Sequence, residues 1–137
     1  FFATVQAAVR RIDVSPGAPP PLQQMEENVR RLLDVLAAER ETARILLRGT
    51  VGIDEEFDRK LGDFYGRVQQ LIAHGLRRGI EMRLVRPLDP SVAAWCVLGS
   101  IKEAVDRVLL VEEVPAEATI EALGRELMAF NLRGLFT

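Results

Sequence analysis

The sequence predicts an all-α fold, a helical bundle of about six helices. In several separate stretches, apolar residues recur three or four positions apart, which is the spacing of amphipathic helices. No stretch alternates apolar and polar residues in the way that indicates a half-buried strand. Prolines and glycines lie between these stretches. Each stretch is therefore expected to form its own helix.

The N-terminal part is predicted to contain a short helix, a linker and a longer helical stretch. Residues 1–13 carry apolar side chains at helical spacing. The proline-rich residues 15–21 end this helix, because proline lacks the N–H donor and disfavours helix in the residue before it. Residues 22–47 resume the helical spacing. Charged side chains at residues 39–41 interrupt the apolar pattern, which allows a bend at residues 38–41, but no glycine or proline requires one.

The clearest helix is predicted at residues 57–79, where one apolar stripe runs the whole length. Asp54 and the two glutamates after it begin this helix, because acidic side chains favour the positive end of the helix dipole. Gly79 is expected to end it. The last helix is predicted at residues 116–135, directly after Pro115.

The stretch that organises the chain runs from Pro87 to about Glu113. Asp89 can cap a helix, and Pro90 suits the first helical position, where its missing N–H costs nothing. The helix is apolar on most sides, so it needs partners on most sides. It is either a central core helix or a helix that packs against its own domain on one face and another subunit on the other.

Length and composition indicate one globular domain over residues 1–137, with 48% apolar residues and a net charge of −2. This charge gives no electrostatic reason to bind nucleic acid or an anionic membrane. No apolar run reaches the ~20 residues of a membrane span. Cys96 is the single cysteine, which excludes a disulfide framework and a multi-thiolate metal site within one chain. Because the chain opens on Phe1 rather than Met, we expect a fragment or a processed chain.

The motifs of enzymes and metal sites are absent from the sequence. It contains no phosphate loop, no nucleophile elbow and no dinucleotide fingerprint. His74 is the only histidine and falls on the polar face of its helix, so a surface position is expected. We therefore predict no catalytic residues, no metal and no cofactor. A small enzyme without a cofactor would need Tyr65, Glu103 or His74 to converge in one cleft.

A group of residues could form a mostly apolar ligand pocket between helices. The candidate ligand-binding residues are Asn28, Tyr65, Trp95, Cys96, Gly99 and Glu103. In such a pocket, tyrosine, asparagine and the tryptophan N–H would be the few polar groups that orient a ligand. The alternative is ordinary core packing, with the glycine allowing two helices to approach closely. Lys102 with Asp106 and Glu103 with Arg107 are expected to form solvated pairs at i,i+4, although Glu103 could also reach inward.

Three motifs resemble the ligand-binding and dimerisation domain of TetR/AcrR-type transcriptional regulators. Residues 36–49 resemble that family's short helix with its recurring Ala-Arg-Leu-Leu-Leu-Arg pattern, here with Ile45 in the first apolar place. Residues 57–79 resemble its long helix and close on the same Gly-Leu-Arg-Arg-Gly run. Residues 86–94 resemble the connector and the start of its penultimate helix. The order of the three motifs is more specific than any one of them.

The resemblance implies a homodimer. In the family, the last two helices of each subunit pair into a four-helix bundle that forms the dimer interface. Here the resemblance places that interface on Val97, Ile101, Ala104, Val108, Ile120, Leu123, Leu127 and Phe130. Family members begin with a helix-turn-helix domain. We expect that domain to lie outside this chain, with residues 1–13 as the helix that connects it.

The function that the resemblance implies is ligand-controlled DNA binding in the cytoplasm. A small hydrophobic or amphipathic molecule would bind between the helices and shift the separation of the two DNA-binding domains, which alone would contact operator DNA. A repressor that releases DNA on ligand binding is the expected form. The alternative is an all-helical interaction or scaffold domain with a filled core and no ligand pocket.

Overall fold

The computed structural model describes residues 1–48, 54–110 and 116–136. In these residues the chain forms six α-helices and no strand, which confirms the predicted all-α bundle. A short π-helical segment, Val105–Leu109, continues the fifth helix. The helices are α1 (Phe2–Ala8), α2 (Pro21–Ala38), α3 (Arg40–Arg48), α4 (Glu55–Glu81), α5 (Pro90–Ala104) and α6 (Glu117–Leu135).

The first helix is shorter than the sequence predicts, since α1 ends at Ala8 and Val9 is already extended. The cause is a side chain of α2 that binds the following backbone. The Asn28 amide accepts a hydrogen bond from the Arg10 N–H at 3.0 Å and donates one to the Arg10 carbonyl at 2.8 Å. Because both backbone groups of Arg10 are held by Asn28, the chain leaves the helix there and runs along α2.

The second stretch bends at the place where the sequence allows a bend. The residue between α2 and α3 is Glu39, whose φ of −111° and ψ of 41° are not helical. Its N–H still donates to the Val35 carbonyl at 2.9 Å, and its own carbonyl accepts from Ala43 N–H at 2.9 Å. The backbone hydrogen bonds therefore continue through the bend. The direction of the chain changes at α3 without leaving these backbone groups unpaired, so the free-energy cost of the bend is small.

Both predicted helix starts are confirmed by their capping hydrogen bonds. Asp54 accepts from the N–H groups of Glu56 and Phe57 at the start of α4. Asp89 accepts from the N–H groups of Ser91 and Val92, and Pro90 occupies the first position of α5. Each cap satisfies N–H donors that would otherwise lack a partner, which stabilises the folded chain by about 1 kcal/mol.

The helix α4 does not end at Gly79 as predicted but continues to Glu81. The left-handed position after the helix is taken by Arg83, with a φ of 59°. Leu84 and Val85 then donate their N–H groups to the Gly79 carbonyl at 2.9 and 3.1 Å. A glycine is needed at position 79 for close packing rather than to end the helix, because a Cβ there would lie 2.5 Å from Val85 Cγ2.

The end of α5 changes its helical winding before the chain leaves the described residues. The Leu110 N–H donates to the Val105 carbonyl at 3.0 Å, an i→i+5 bond that defines a π-turn. Leu109 and Leu110 are completely buried. The predicted extension of this helix to Glu113 lies outside the described residues.

The main core lies where α2, α3, the π-helical segment and α6 meet. A second cluster joins α4, α5 and the connector between them, and the connector is also tied to the end of α6 by a hydrogen bond from Arg86 N–H to the Leu135 carbonyl at 2.8 Å. The buried residues of the main core are Leu33, Leu36, Ala43, Val105, Leu109, Leu110, Ile120, Leu123 and Leu127.

This core corrects the predicted dimer interface. Ile120, Leu123 and Leu127 were predicted to face a second subunit, but all three are buried in the core of their own chain. They cannot contact a partner without leaving that core. Five members of the predicted set keep some exposure: Val97, Ile101 and Ala104 are half-buried, while Val108 and Phe130 are exposed.

Candidate functional site

An apolar cavity of about 80 Å³ lies between the first five helices. All of its lining residues are apolar except Tyr65 and Lys102. The lining residues are Phe1, Phe2 and Val5 from the N-terminus, Leu32 and Leu36 from α2, Ala43, Leu46 and Leu47 from α3, Leu61, Phe64, Tyr65 and Val68 from α4, Leu98 and Lys102 from α5, and Val105 from the π-helical segment. Such a lining suits a small, largely apolar ligand.

Aromatic rings form the wall of the cavity where α1 meets α4. The Phe2 and Phe64 rings stack with their centroids 4.6 Å apart, and the Tyr65 ring lies 5.7 Å from that of Phe64. Phe1 packs edge-on against Phe2 at 6.1 Å. Stacked and edge-on rings add to the stability that their burial provides. The contact holds α1 against α4, so α1 is part of the cavity wall.

The two lining residues that carry polar groups lie at the α4–α5 side of the cavity. The Lys102 ammonium lies over the face of the Tyr65 ring, 3.9 Å from its centroid, in a cation–π contact. Lys102 does not form the predicted pair with Asp106 among the described residues, whereas the predicted pair of Glu103 and Arg107 is confirmed at 2.9 Å. The Lys102 side chain therefore reaches across to Tyr65 of α4 rather than along its own helix.

Burial raises the pKa of the Tyr65 phenol above its ordinary value of 10.0. Tyr65 is the single tyrosine, so an alkaline absorbance titration of the phenolate reports on it alone. We expect a midpoint above 10.0 in the folded chain, and the ordinary value in denaturant. The folded chain keeps this proton to a higher pH than the unfolded chain does. The contribution of Tyr65 to the free energy of unfolding is therefore fully present below pH 10.0, and it is lost as the pH rises through the raised pKa. Equal midpoints in both states would contradict this prediction.

Of the six predicted ligand-binding residues, only Tyr65 lines the cavity. The Asn28 side chain is hydrogen-bonded to the backbone of Arg10 and does not line the cavity. The other four are exposed residues of α5, and none of them lines the cavity: Trp95, Cys96, Gly99 and Glu103. Trp95 is 51% exposed, so it neither lines a pocket nor fills a core within this chain.

The sequence analysis missed Lys102 and the wall residues of α1, α3 and α4. The apolar stripes of these helices were the available signal, because Phe64 and Val68 belong to the stripe predicted for residues 57–79. No sequence pattern marked Lys102 as a residue of the cavity wall. Its i,i+4 spacing to Asp106 favoured a surface pair, and only the approach of Tyr65 from α4 distinguishes the two arrangements.

An outer face of α5 and α6 exposes further apolar side chains. We define it by Val92, Trp95, Cys96, Gly99 and Phe130, all exposed, with Phe130 at 72%. The two helices are joined side by side by a hydrogen bond from the amide of Asn131 to the Ser100 hydroxyl at 3.1 Å. The outer face is therefore built on a defined pair of helices.

A wider groove between α2 and α6 is less suited to a ligand. Its volume of about 580 Å³ is open to solvent, and Arg30 in its wall is held by ion pairs. Arg30 contacts the Asp34 carboxylate of its own helix at 3.1 Å. It also contacts two carboxylates of α6, that of Glu117 and, at 3.6 Å, that of Glu121. These contacts join the two helices, which is a structural role.

The groups that acid–base or metal chemistry needs do not come together in the described residues. Tyr65 lies in the cavity wall, while Glu103 and His74 are exposed, as was predicted for His74. Among these residues, no three His, Cys, Asp or Glu side chains group closely enough to hold a metal ion. Nor does any helix of the described ranges have the length and hydrophobicity that a membrane span requires.

Fold and cavity together define the class of this chain as a helical-bundle domain with an apolar cavity between its helices. Comparison with known proteins adds nothing more specific, since no protein-family model and no curated protein matches the chain.

Proposed function

We propose that this chain is the ligand-sensing and dimerising domain of a TetR/AcrR-type transcriptional regulator, a cytoplasmic repressor that releases its operator when a small molecule binds. The observation that carries the proposal is the apolar cavity lined by α1 to α5. The order of the three resembling motifs and the all-α fold support it. Ligand sensing is favoured over a scaffold role because a scaffold domain needs no such cavity.

The size of the cavity suggests how a ligand would act. At about 80 Å³ the cavity is larger than a water molecule needs, but smaller than the roughly 150 Å³ that holds a benzene ring in an engineered core. A ligand with one ring therefore binds only when the surrounding helices move apart. Such a ligand has a higher affinity for the wider arrangement, and this difference in affinity shifts the population toward it.

The wall contributed by α1 connects the cavity to DNA binding in this proposal. In a TetR/AcrR-type regulator the DNA-binding domain precedes the helix that α1 resembles. Phe2 and Val5 of α1 line the cavity, and Phe2 stacks on Phe64 of α4. A ligand that separates α1 from α4 would displace the preceding domain in each subunit. The two recognition helices would then no longer match major grooves about 34 Å apart.

The binding test uses toluene as a neutral apolar probe. Toluene is expected to raise the melting temperature of the chain, because a ligand that binds only the folded state stabilises it. In Val68→Phe the added ring occupies the cavity, so most of this rise should disappear. Val14→Phe is the matched control, since Val14 is exposed and lies outside the cavity lining. An absence of any rise in the unsubstituted chain would favour the scaffold alternative instead.

A full-length regulator provides the decisive functional readout. Its affinity for operator DNA should fall when a cavity ligand is added. Equal affinity with and without every molecule that occupies the cavity would contradict the proposal, even if the cavity binds those molecules.

The same proposal includes a homodimer formed through the outer face of α5 and α6. Exposed apolar side chains of this size are typical of an interaction surface. Gly99 belongs to this face, and a Cβ there would meet nothing within 4 Å, so a partner helix could approach closely. Of the eight residues predicted by resemblance, this interface keeps only Phe130. It adds Val92, Trp95, Cys96 and Gly99.

Solution mass tests the homodimer. Light scattering is expected to give about twice the 15.3 kDa of one chain. Phe130→Glu should yield a monomer, because a carboxylate would be buried without a partner in the interface. Ile45→Glu, a change of the same kind at an exposed residue of α3, should leave the dimer intact. A monomer at micromolar concentration for the unsubstituted chain would exclude this interface.

A further inference from the structure

The surface that faces the cavity between α1 and α5 is almost entirely apolar. All lining residues except Tyr65 and Lys102 have side chains made only of carbon and hydrogen. These two contribute their carbon atoms to the wall, because a hydroxyl or an ammonium that faced the cavity would make its surface polar. The Lys102 ammonium lies instead over the Tyr65 ring, 3.9 Å from its centroid. Among the described residues, the wall thus offers a ligand no charged or hydrogen-bonding side-chain group.

The backbone of the wall does not replace these missing groups. Most lining residues lie within helices, where N–H and C=O groups bond one another. Hydrogen bonds also satisfy the carbonyls of two lining residues at helix ends. The Phe1 carbonyl accepts from the Val5 N–H at 3.0 Å. The Val105 carbonyl accepts from the Leu110 N–H at 3.0 Å. The backbone therefore leaves the surface of the cavity apolar.

Water cannot supply the partner that a polar ligand would need. An ordered internal water makes about three hydrogen bonds, usually to buried polar groups that would otherwise be unsatisfied. The apolar wall has no such groups to hold it. A hydroxyl, amine or carboxylate on a ligand would therefore lose its hydrogen bonds to solvent and gain none in the cavity, which weakens binding.

We propose that the ligand of this cavity is an uncharged hydrocarbon, or a halogenated hydrocarbon of similar shape, without a hydroxyl, amine, carbonyl or carboxylate group. The resemblance implies a hydrophobic or an amphipathic molecule, and the apolar wall fits only the first of the two. This inference rests on the proposed ligand-sensing function and specifies the chemical class of the ligand.

Selectivity in such a cavity comes from the absence of polar groups. Ligand pockets usually contain a few polar groups that fix the orientation of the ligand. Here only the shape of the cavity and contacts with aromatic rings can do so, and the stacked rings of Phe2 and Phe64 provide such contacts. A hydrophobic pocket disfavours a ligand of the same shape with an added hydroxyl by up to about a hundredfold.

The experiment compares toluene, chlorobenzene and phenol by titration calorimetry. The three molecules carry one substituent each on the same ring, and only the hydroxyl of phenol both donates and accepts hydrogen bonds. We expect toluene and chlorobenzene to bind the unsubstituted chain with dissociation constants within about threefold of each other. Phenol should bind at least about tenfold more weakly than toluene.

Two variants test whether the wall causes this preference for toluene over phenol. Val68→Thr puts a hydroxyl on a lining residue, so it should reduce the preference by at least about threefold. Val14→Thr is the matched control, since Val14 is exposed and lies outside the lining. Lys102→Met keeps carbon atoms in the wall and removes the ammonium, so it should change the preference by less than about twofold.

The outcomes separate this inference from the proposed function. Binding of phenol as tight as that of toluene overturns the hydrocarbon class but leaves a ligand in the cavity. An unchanged preference in Val68→Thr, or a changed one in Lys102→Met, also overturns it. If toluene, chlorobenzene and phenol all fail to bind, the proposed function fails together with the inference. If Val68→Thr does not fold, the comparison of the three ligands on the unsubstituted chain decides by itself.

Discussion

Replacing Leu33 with alanine is expected to lower the free energy of unfolding by about 3 kcal/mol. Leu33 lies on α2 with 0% of its surface exposed, at the centre of the main core. It packs beneath α6 where Gly124 leaves room for it, since a Cβ on Gly124 would lie 3.5 Å from Leu33 Cδ1. Two helices surround the cavity that the alanine would leave, so the site cannot collapse to fill it.

Equilibrium unfolding in urea measures this loss. The control is Leu22→Ala, the same substitution on the same helix at a residue that is 41% exposed, where a change of less than about 1 kcal/mol is expected. A domain of this size has a total stability of about 5–15 kcal/mol, so the core variant loses a large share of it. Similar losses in both variants would mean that α2 does not pack against α6 through Leu33.

Gly79→Ala is expected to lower stability by about 2 kcal/mol, although alanine is the better helix former. The new Cβ would lie 2.5 Å from Val85 Cγ2 and 3.3 Å from Val85 Cβ. Val85 cannot turn away, because a β-branched side chain has few rotamers and this one is buried. The connector is also held in place by the N–H groups of Leu84 and Val85, both bound to the Gly79 carbonyl.

The matched control is Gly75→Ala, one turn earlier on α4. There a Cβ would meet nothing within 4 Å, so the alanine should stabilise the chain by about 0.5–1 kcal/mol. Thermal or urea unfolding should therefore show opposite signs for the two variants. Adding Val85→Ala to Gly79→Ala removes the clashing methyl groups and should recover part of the loss. Two stabilised single variants would show that the connector does not pack on α4 at Gly79.

The helix α5 takes part in both proposed activities. Leu98 and Lys102 of this helix line the cavity, and Val92, Trp95 and Gly99 of the same helix are exposed on the outer face. A ligand that moves α5 would therefore alter the surface through which we propose that two chains pair. This arrangement gives a short physical path between ligand binding and the relative position of two subunits.

Local patterns were sufficient to predict most of the helices. The capping residues Asp54 and Asp89 begin α4 and α5 as expected, because a cap depends only on a side chain and the N–H groups two or three residues later. The apolar stripe of α4 was also correct, and the bend at Glu39 lies where the sequence allows one. The first helix was predicted too long, because its end depends on Asn28, which lies eighteen residues beyond Arg10 in the chain.

The sequence alone thus determined the fold class, the number of helices and most of their bounds, since hydrogen bonds and apolar periodicity within one helix are local. Only the tertiary structure decided which side of α5 faces inward. A helix that is apolar all around has no polar face to set its rotation, so Trp95 and Cys96 could equally be predicted inside or outside. The same holds for Ile120 and Lys102, because the neighbours that bury one and attract the other come from distant parts of the chain.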